Sequence, residues 1–131
     1  MIADSSAWIE MLRVTRSPTD LRLQQAIRTG ETLLMPEVVY REVLQGAPNP
    51  QHFMLLQAQL DTIPLFTPND ARDLARHAAI LYARCRWQGI TIRSPNDCLI
   101  AACAIEAAEP LLHAGRDFIT LATIDKRLQL L

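Results

Sequence analysis

Met1-Ile2-Ala3-Asp4-Ser5-Ser6-Ala7-Trp8-Ile9-Glu10 opens the chain. Three apolar residues, a carboxylate, two hydroxyls and a helical pattern follow one another within these residues. Met1 to Ala3 reads as a short strand, and Ser5 or Ser6 as the cap of a helix through Leu12. Short apolar runs and helical patterns go on alternating, with no internal repeat. Thr32 to Met35 is a second strand, and Pro36 starts a helix that ends near Gly46. Thr62 to Phe66 is a third strand, and Thr67-Pro68 starts a helix running to about Trp87, with Leu74, Ala78, Leu81 and Cys85 on one stripe. Leu111 to His113 is a fourth strand, with a short helix over Phe118 to Ala122. Leu128 to Leu131 forms a final edge strand.

Three further helical patterns lie between these units. One runs from Ser17-Pro18 to Gly30, with Leu21, Leu23, Ala26 and Ile27 as expected core positions. Another spans Pro48 to Leu60. The third starts at Ser94-Pro95 and reaches about Glu106, after a loop over Gly89 to Arg93. Short apolar runs alternating with long helical patterns predict an α/β fold around a mostly parallel sheet of four to five strands.

The chain has 131 residues, 50% hydrophobic and 21% charged, which predicts one globular domain over 1–131 with a core that needs no staples. The formal net charge of -1 advertises no nucleic-acid partner. All basic residues but Lys126 are arginines, whose planar fork suits phosphate and carboxylate; genomic composition explains the same bias. Cys85, Cys98 and Cys103 form no CxxC pair and read as reduced, buried thiols. With His52, His77 and His113 they show no zinc spacing. Asp4 and Glu10 interrupt any signal peptide, and the apolar run from Cys98 to Ile105 is too short to span a bilayer. A cytoplasmic protein with no membrane partner is expected.

Four acids stand at privileged positions, and each has a plainer explanation beside it. Asp4 follows the first strand, where open parallel sheets bind ligands, but it also suits a helix N-cap. Glu42 shares a helix side with Val38, Val39 and Val43, so it is either met by something positive or sits at the solvated rim. Asp97 stands three residues after Ser94, as in a capping box, yet heads an apolar face of Ile100, Ala101 and Ala104. Asp117 follows the fourth strand and suits a cap for the helix from Phe118. If the strand ends converge, these carboxylates repel one another unless a hard divalent cation such as Mg²⁺ or Mn²⁺ screens them.

At this point the residues resemble a known family. Residues 1–10 are similar to the opening of PIN-domain, VapC-type toxins. The run Pro36-Glu37-Val38-Val39-Tyr40-Arg41-Glu42-Val43-Leu44-Gln45-Gly46 resembles their second motif, with Glu42 its acid. Ile90 to Ala102, through Ser94-Pro95-Asn96-Asp97, resembles the third, and Leu111 to Phe118 the fourth. Ser5 stands where the family usually has threonine, and Gly115 where many members carry another aspartate. The resemblance implies a three-layer α/β/α fold and Mg²⁺- or Mn²⁺-dependent cleavage of RNA. It further implies a cognate antitoxin and a toxin homodimer.

On that reading Asp4, Asp97 and Asp117 hold the metal and Glu42 binds a second ion or orients the attacking water. Ser6 hydrogen-bonds a phosphate or a ligand carboxylate, or simply starts the helix. Arg86 and Arg93 are candidate RNA contacts or solvated surface charges. Trp8, Phe53 and Trp87 are candidate antitoxin contacts or core. Two other readings are a PIN-like module that binds RNA or a partner without cutting, and a receiver-like phosphoacceptor domain. The second needs paired acids after the first strand and a lysine after the last; here Ser5 and Ser6 follow Asp4.

Overall fold

The computed structural model describes residues 1–131. Its elements, in chain order, are β1 (Ile2–Ala3), α1 (Ser5–Leu12), α2 (Pro18–Thr29), α3 (Glu37–Leu44), α4 (Pro50–Leu60), α5 (Ala71–Trp87), α6 (Pro95–Ala107), β2 (Leu111–Leu112) and α7 (Arg116–Ile124). β1 pairs with β2 in parallel, Ile2 opposite Leu111 and Ala3 opposite Leu112. Single parallel bridges extend the sheet: Ile2 to Leu34, Met35 to Leu65, and Leu111 to Leu130. The five extended segments therefore lie in the order 65, 34–35, 2–3, 111–112, 130, with β1 at the centre. All five expected strands are present as pairing segments, although only two make continuous ladders.

That order reverses direction at β1. From β1 the chain moves outward on one side through Leu34 to Leu65, then returns to place Leu111 and Leu130 on the other. Right-handed crossovers then put the helices before Leu65 on one face and those after it on the opposite face. Most contacts follow this division: α1 packs on α2 and α3, α3 on α4, and α5, α6 and α7 on one another, while α3 and α6 also meet. Such a reversal opens a crevice at the carboxyl ends of the central strands.

The core is one cluster to which nearly every element contributes. α6 is the most buried helix, hiding Cys98, Ile100, Ala101, Ala102, Cys103 and Ala104. Its small residues let α5 pack closely along it. All three cysteines are free and buried, as expected; burial pushes the Cys98 and Cys103 thiols up to about 12. No helix is long and apolar enough to cross a membrane.

Several local expectations are corrected. On α2, Leu23 and Ala26 are buried, but Leu21 and Ile27 are 52% and 46% exposed. Asp20, Leu23 and Ala26, three residues apart, form the buried stripe, and Leu21 stands on the side of the helix roughly opposite Leu23. α5 begins at Ala71 and not at Thr67-Pro68, because the Asp70 side chain accepts from Asp73 N and sets the start there. α1 is capped by Asp4, not by Ser5 or Ser6. The helix expected from Phe118 begins at Arg116, with Gly115 as its N-cap. Gly30 ends α2 as expected, in the left-handed region at φ 72°, with Glu31 N bonded back to Ala26 O.

The C-terminal segment is latched by Asp125, which is 7% exposed. Its carboxylate accepts from the Nε and a terminal nitrogen of Arg127, and His77 Nε2 stands 3.3 Å away on α5. Arg127 chiefly holds the Asp125 carboxyl well below the usual range. Asp125→Ala is expected to cost about 1–3 kcal/mol at pH 7. A depressed carboxyl stabilises the fold above its unfolded value of 3.8 and loses that contribution as pH falls further. Urea titrations at pH 7 and pH 3 should therefore show the wild-type advantage shrinking in acid; an equal advantage at both would contradict the latch.

Candidate active site

The acidic residues gather where the sheet order reverses. Asp4 leaves β1 directly, its N–H donating to Leu112 O at 3.0 Å. It is 3% exposed, and its Oδ1 accepts from Ala7 N at 3.0 Å and from Ser6 Oγ at 2.7 Å. The N-cap alternative for Asp4 is thus realised, and it locks the carboxylate against the end of β1. Burial nonetheless raises its pKa, outweighing the lowering by Ser6, Ala7 and His113. Ser6 also accepts from Ala114 N at 3.0 Å, tying α1 to the segment after β2.

Glu42 projects from α3 toward the start of α1. Its Oε1 accepts from Ser5 Oγ at 2.7 Å, so Ser5 and Ser6 each serve a different carboxylate. Glu42 is half-buried and stands in the wall of a groove with Ile9, Val43 and Leu56. Asp117 lies in the first turn of α7 and is not its cap. Its Oδ2 accepts from Arg93 N at 3.0 Å, fastening the loop before α6 to the start of α7.

Asp97 sits in the first turn of α6. The capping-box alternative is not realised: Ser94 makes no side-chain cap, and only its backbone oxygen accepts from Asp97 N. The Asp97 carboxyl is pushed up to about 7, first by burial and then by the charges of Asp4, Asp117 and Glu42. All three other acids act on this one group, so residues up to 113 positions apart in sequence share one electrostatic neighbourhood. No three acidic, histidine or cysteine side chains form a ready-made ligand set around one point. The donor chemistry nevertheless suits a hard cation of the Mg²⁺ type, which keeps several waters and takes only one or two carboxylates directly.

Sequence reasoning missed two neighbours. Ser5 reads as a helix start and as a motif position, whereas its bond to Glu42 depends on α3 approaching α1. His113 follows β2 in the register that places it beside Asp4. Its Nδ1 donates to Gly115 O at 2.8 Å, its ring packs against Phe118 with centroids 5.5 Å apart, and it lowers the Asp4 pKa by its charge. The available signal was a polar residue ending an apolar strand. Of the other candidates, Trp8 is buried at 5% exposure, whereas Phe53 and Trp87 are exposed. Arg86 and Arg93 are exposed too.

Ser5→Ala removes the donor that orients Glu42. About a tenfold loss of activity is expected, as for other groups that hold a site carboxylate. Melting should change little, since Ser5 is only half-buried. Steady-state rates with the two proteins side by side would test this, and unchanged kcat would show that Glu42 needs no such support.

The sequence matches the PIN domain over residues 1–124. Ribonuclease VapC11 of Mycobacterium tuberculosis and a VapC ribonuclease of Mycobacterium bovis are each 34% identical over 125 residues, covering 95% of this chain and 92% of theirs. Among solved structures, VapBC2 from Rickettsia felis, bound to a DNA fragment from its promoter, superposes with TM-score 0.69 at 18% identity. That match covers 99% of this chain and 96% of the other. FitAcB from Neisseria gonorrhoeae superposes with TM-score 0.67 at 19% identity, over 98% of this chain and 94% of the other. The three-layer α/β/α fold expected from the sequence is the fold of these structures, and the chain belongs to the PIN domain family.

Proposed function

We propose that this single-domain protein is a metal-dependent endoribonuclease that hydrolyses RNA phosphodiesters and acts as the toxin of a toxin–antitoxin pair. The observation that carries the reading is Asp97, whose carboxyl is pushed up to about 7 first by burial and then by the charges of Asp4, Asp117 and Glu42 at the crevice of a parallel sheet. Two relatives at 34% identity named as ribonucleases support the substrate class.

In this reading Asp4, Asp97 and Asp117 hold Mg²⁺ or Mn²⁺, directly or through water. The ion supplies Lewis acidity and offsets the charge that develops on the phosphate. Glu42, oriented by Ser5, positions the attacking water or serves a second ion. Ser6, locked between Asp4 and Ala114 N, keeps the Asp4 carboxylate in place. Arg93, whose backbone is fastened to Asp117, presents its guanidinium at the rim for phosphate.

The antitoxin partner has a surface available. The groove of ≈ 610 Å³ beside Glu42 is lined by Ile9, Leu12, Leu55 and Leu56, among which Leu55 is 68% exposed. An amphipathic segment lying there can carry an arginine into the acids. A homodimer acting in the cytoplasm completes the proposal.

The test uses the purified chain and single-stranded RNA. Cleavage is expected with Mg²⁺ or Mn²⁺ and should stop when EDTA is added. No cleavage of any RNA under either ion would overturn the reading, and labelling of Asp4 by acetyl phosphate would instead point to a phosphoacceptor.

A further inference from the structure

Between Arg84 and Arg93 the chain carries three arginines and no acid. α5 ends at Trp87, and Gly89 takes the left-handed region at φ 73° to turn the chain back. Ile90 N then bonds to Cys85 O at 2.9 Å, and Ile92, 3% exposed, anchors the loop on the core. Trp87 is left outside this turn. At 73% exposure it is the most exposed large hydrophobic residue in the chain. Keeping an indole in water forgoes a large burial gain, so its position calls for an occupant that an apolar ring can meet.

The surroundings of Trp87 say what that occupant is. Arg86 and Arg93 are exposed and Arg84 half-buried. The arginines in salt bridges are Arg22, Arg76 and Arg127, so these three guanidinium groups remain free. The segment runs into the acidic crevice at its Arg93 end. Arg93 N donates to Asp117 Oδ2 at 3.0 Å, which fixes the end of the segment beside that acid. An exposed aromatic among unpaired arginines, continuous with the acidic site, complements a chain of phosphates bearing unstacked bases.

We infer that the rim formed by Arg84, Arg86, Trp87 and Arg93 binds single-stranded RNA beside the acidic crevice, with Trp87 stacking on a base. The inference rests on the ribonuclease reading and adds to it a base-stacking rim outside the four acids. In a duplex, base faces are already stacked on their neighbours and are closed to the indole. The arginines take the phosphates on either side of the stacked base.

The chain's two tryptophans make the test direct, because Trp8 is buried and Trp87 is not. The full chain carrying Asp97→Asn would be titrated with a short single-stranded RNA of mixed sequence, and tryptophan emission followed. Quenching is expected; Trp87→Phe in the same background should reduce it sharply, and Trp87→Ala should weaken binding about tenfold or more. The matching RNA duplex should quench little. In the otherwise unaltered chain, Trp87→Ala should raise KM several-fold while kcat falls much less. Melting curves would confirm that the exposed position leaves the fold intact. Unchanged affinity in Trp87→Ala, or equal binding of duplex, would overturn the platform. Quenching by a bound antitoxin but not by RNA would reassign the surface to a protein. Failure of the unaltered chain to cut RNA is a separate result, which strikes the ribonuclease reading.

Discussion

Asp97→Asn is expected to lower RNA cleavage by about two to three orders of magnitude, the scale seen when a charge-stabilising group is removed from an active centre. The same change should make the metal-free protein more stable above pH 7. Both effects have one cause. Asp97 is half-buried, and that burial first, then the charges of Asp4, Asp117 and Glu42, push its carboxyl from 3.8 up to about 7. Between those values the folded chain holds a proton that the unfolded chain has released. Stability contributed by this position therefore falls as pH rises through that window, and the penalty is complete above 7. Asparagine keeps the shape and carries no charge. After discounting for partial exposure, the gain should be about 1–2 kcal/mol at pH 8 and vanish near pH 4. Thermal melts in EDTA across this range would measure it. A variant that melts below the wild type at pH 8 would mean that Asp97 is not held among like charges.

Phe118→Ala should be the most damaging single truncation near the site. Phe118 is 1% exposed and sits beside Asp117 at the start of α7. Emptying such a position costs about 3–5 kcal/mol, a large share of the about 5–15 kcal/mol that holds a domain together. His113 would lose the ring that fixes its tilt, and the first turn of α7 would loosen around Asp117. Urea denaturation should show the midpoint fall sharply, with cleavage reduced even where the protein remains folded. A loss under 1 kcal/mol would show that α7 is not seated by this ring. Phe118→Leu, which conserves apolar bulk, should recover much of both.

The two predictions differ in how far the sequence anticipates them. Asp97 stands out at the head of an apolar helix face, and the block around it resembles a family motif, so its candidacy is legible without coordinates. The strand–acid–helix unit at residues 1–10, the strand–helix alternation after it, and the stops at Gly30 and Gly89 are also local. They follow from periodicity and from the few residues that tolerate caps and left-handed turns. Boundaries were less legible where two start signals competed. At Thr67 to Ala71 the Asp70 cap wins over the proline. Leu21 and Ile27 looked like core because apolar identity does not reveal which helix face meets a neighbour.

What the amino-acid order determined alone is the α/β class, the parallel strand–helix alternation and the four acids as candidates, since each depends on spacing within a few residues. Only the tertiary structure decided that Asp4 serves as both cap and buried acid, that Ser5 reaches across to Glu42, that His113 stands beside Asp4, and that Trp87 remains in solvent. Those outcomes depend on how distant segments approach once the sheet order reverses at β1. Like charges in the crevice then act through space, with a strength set by burial and distance that no local pattern encodes.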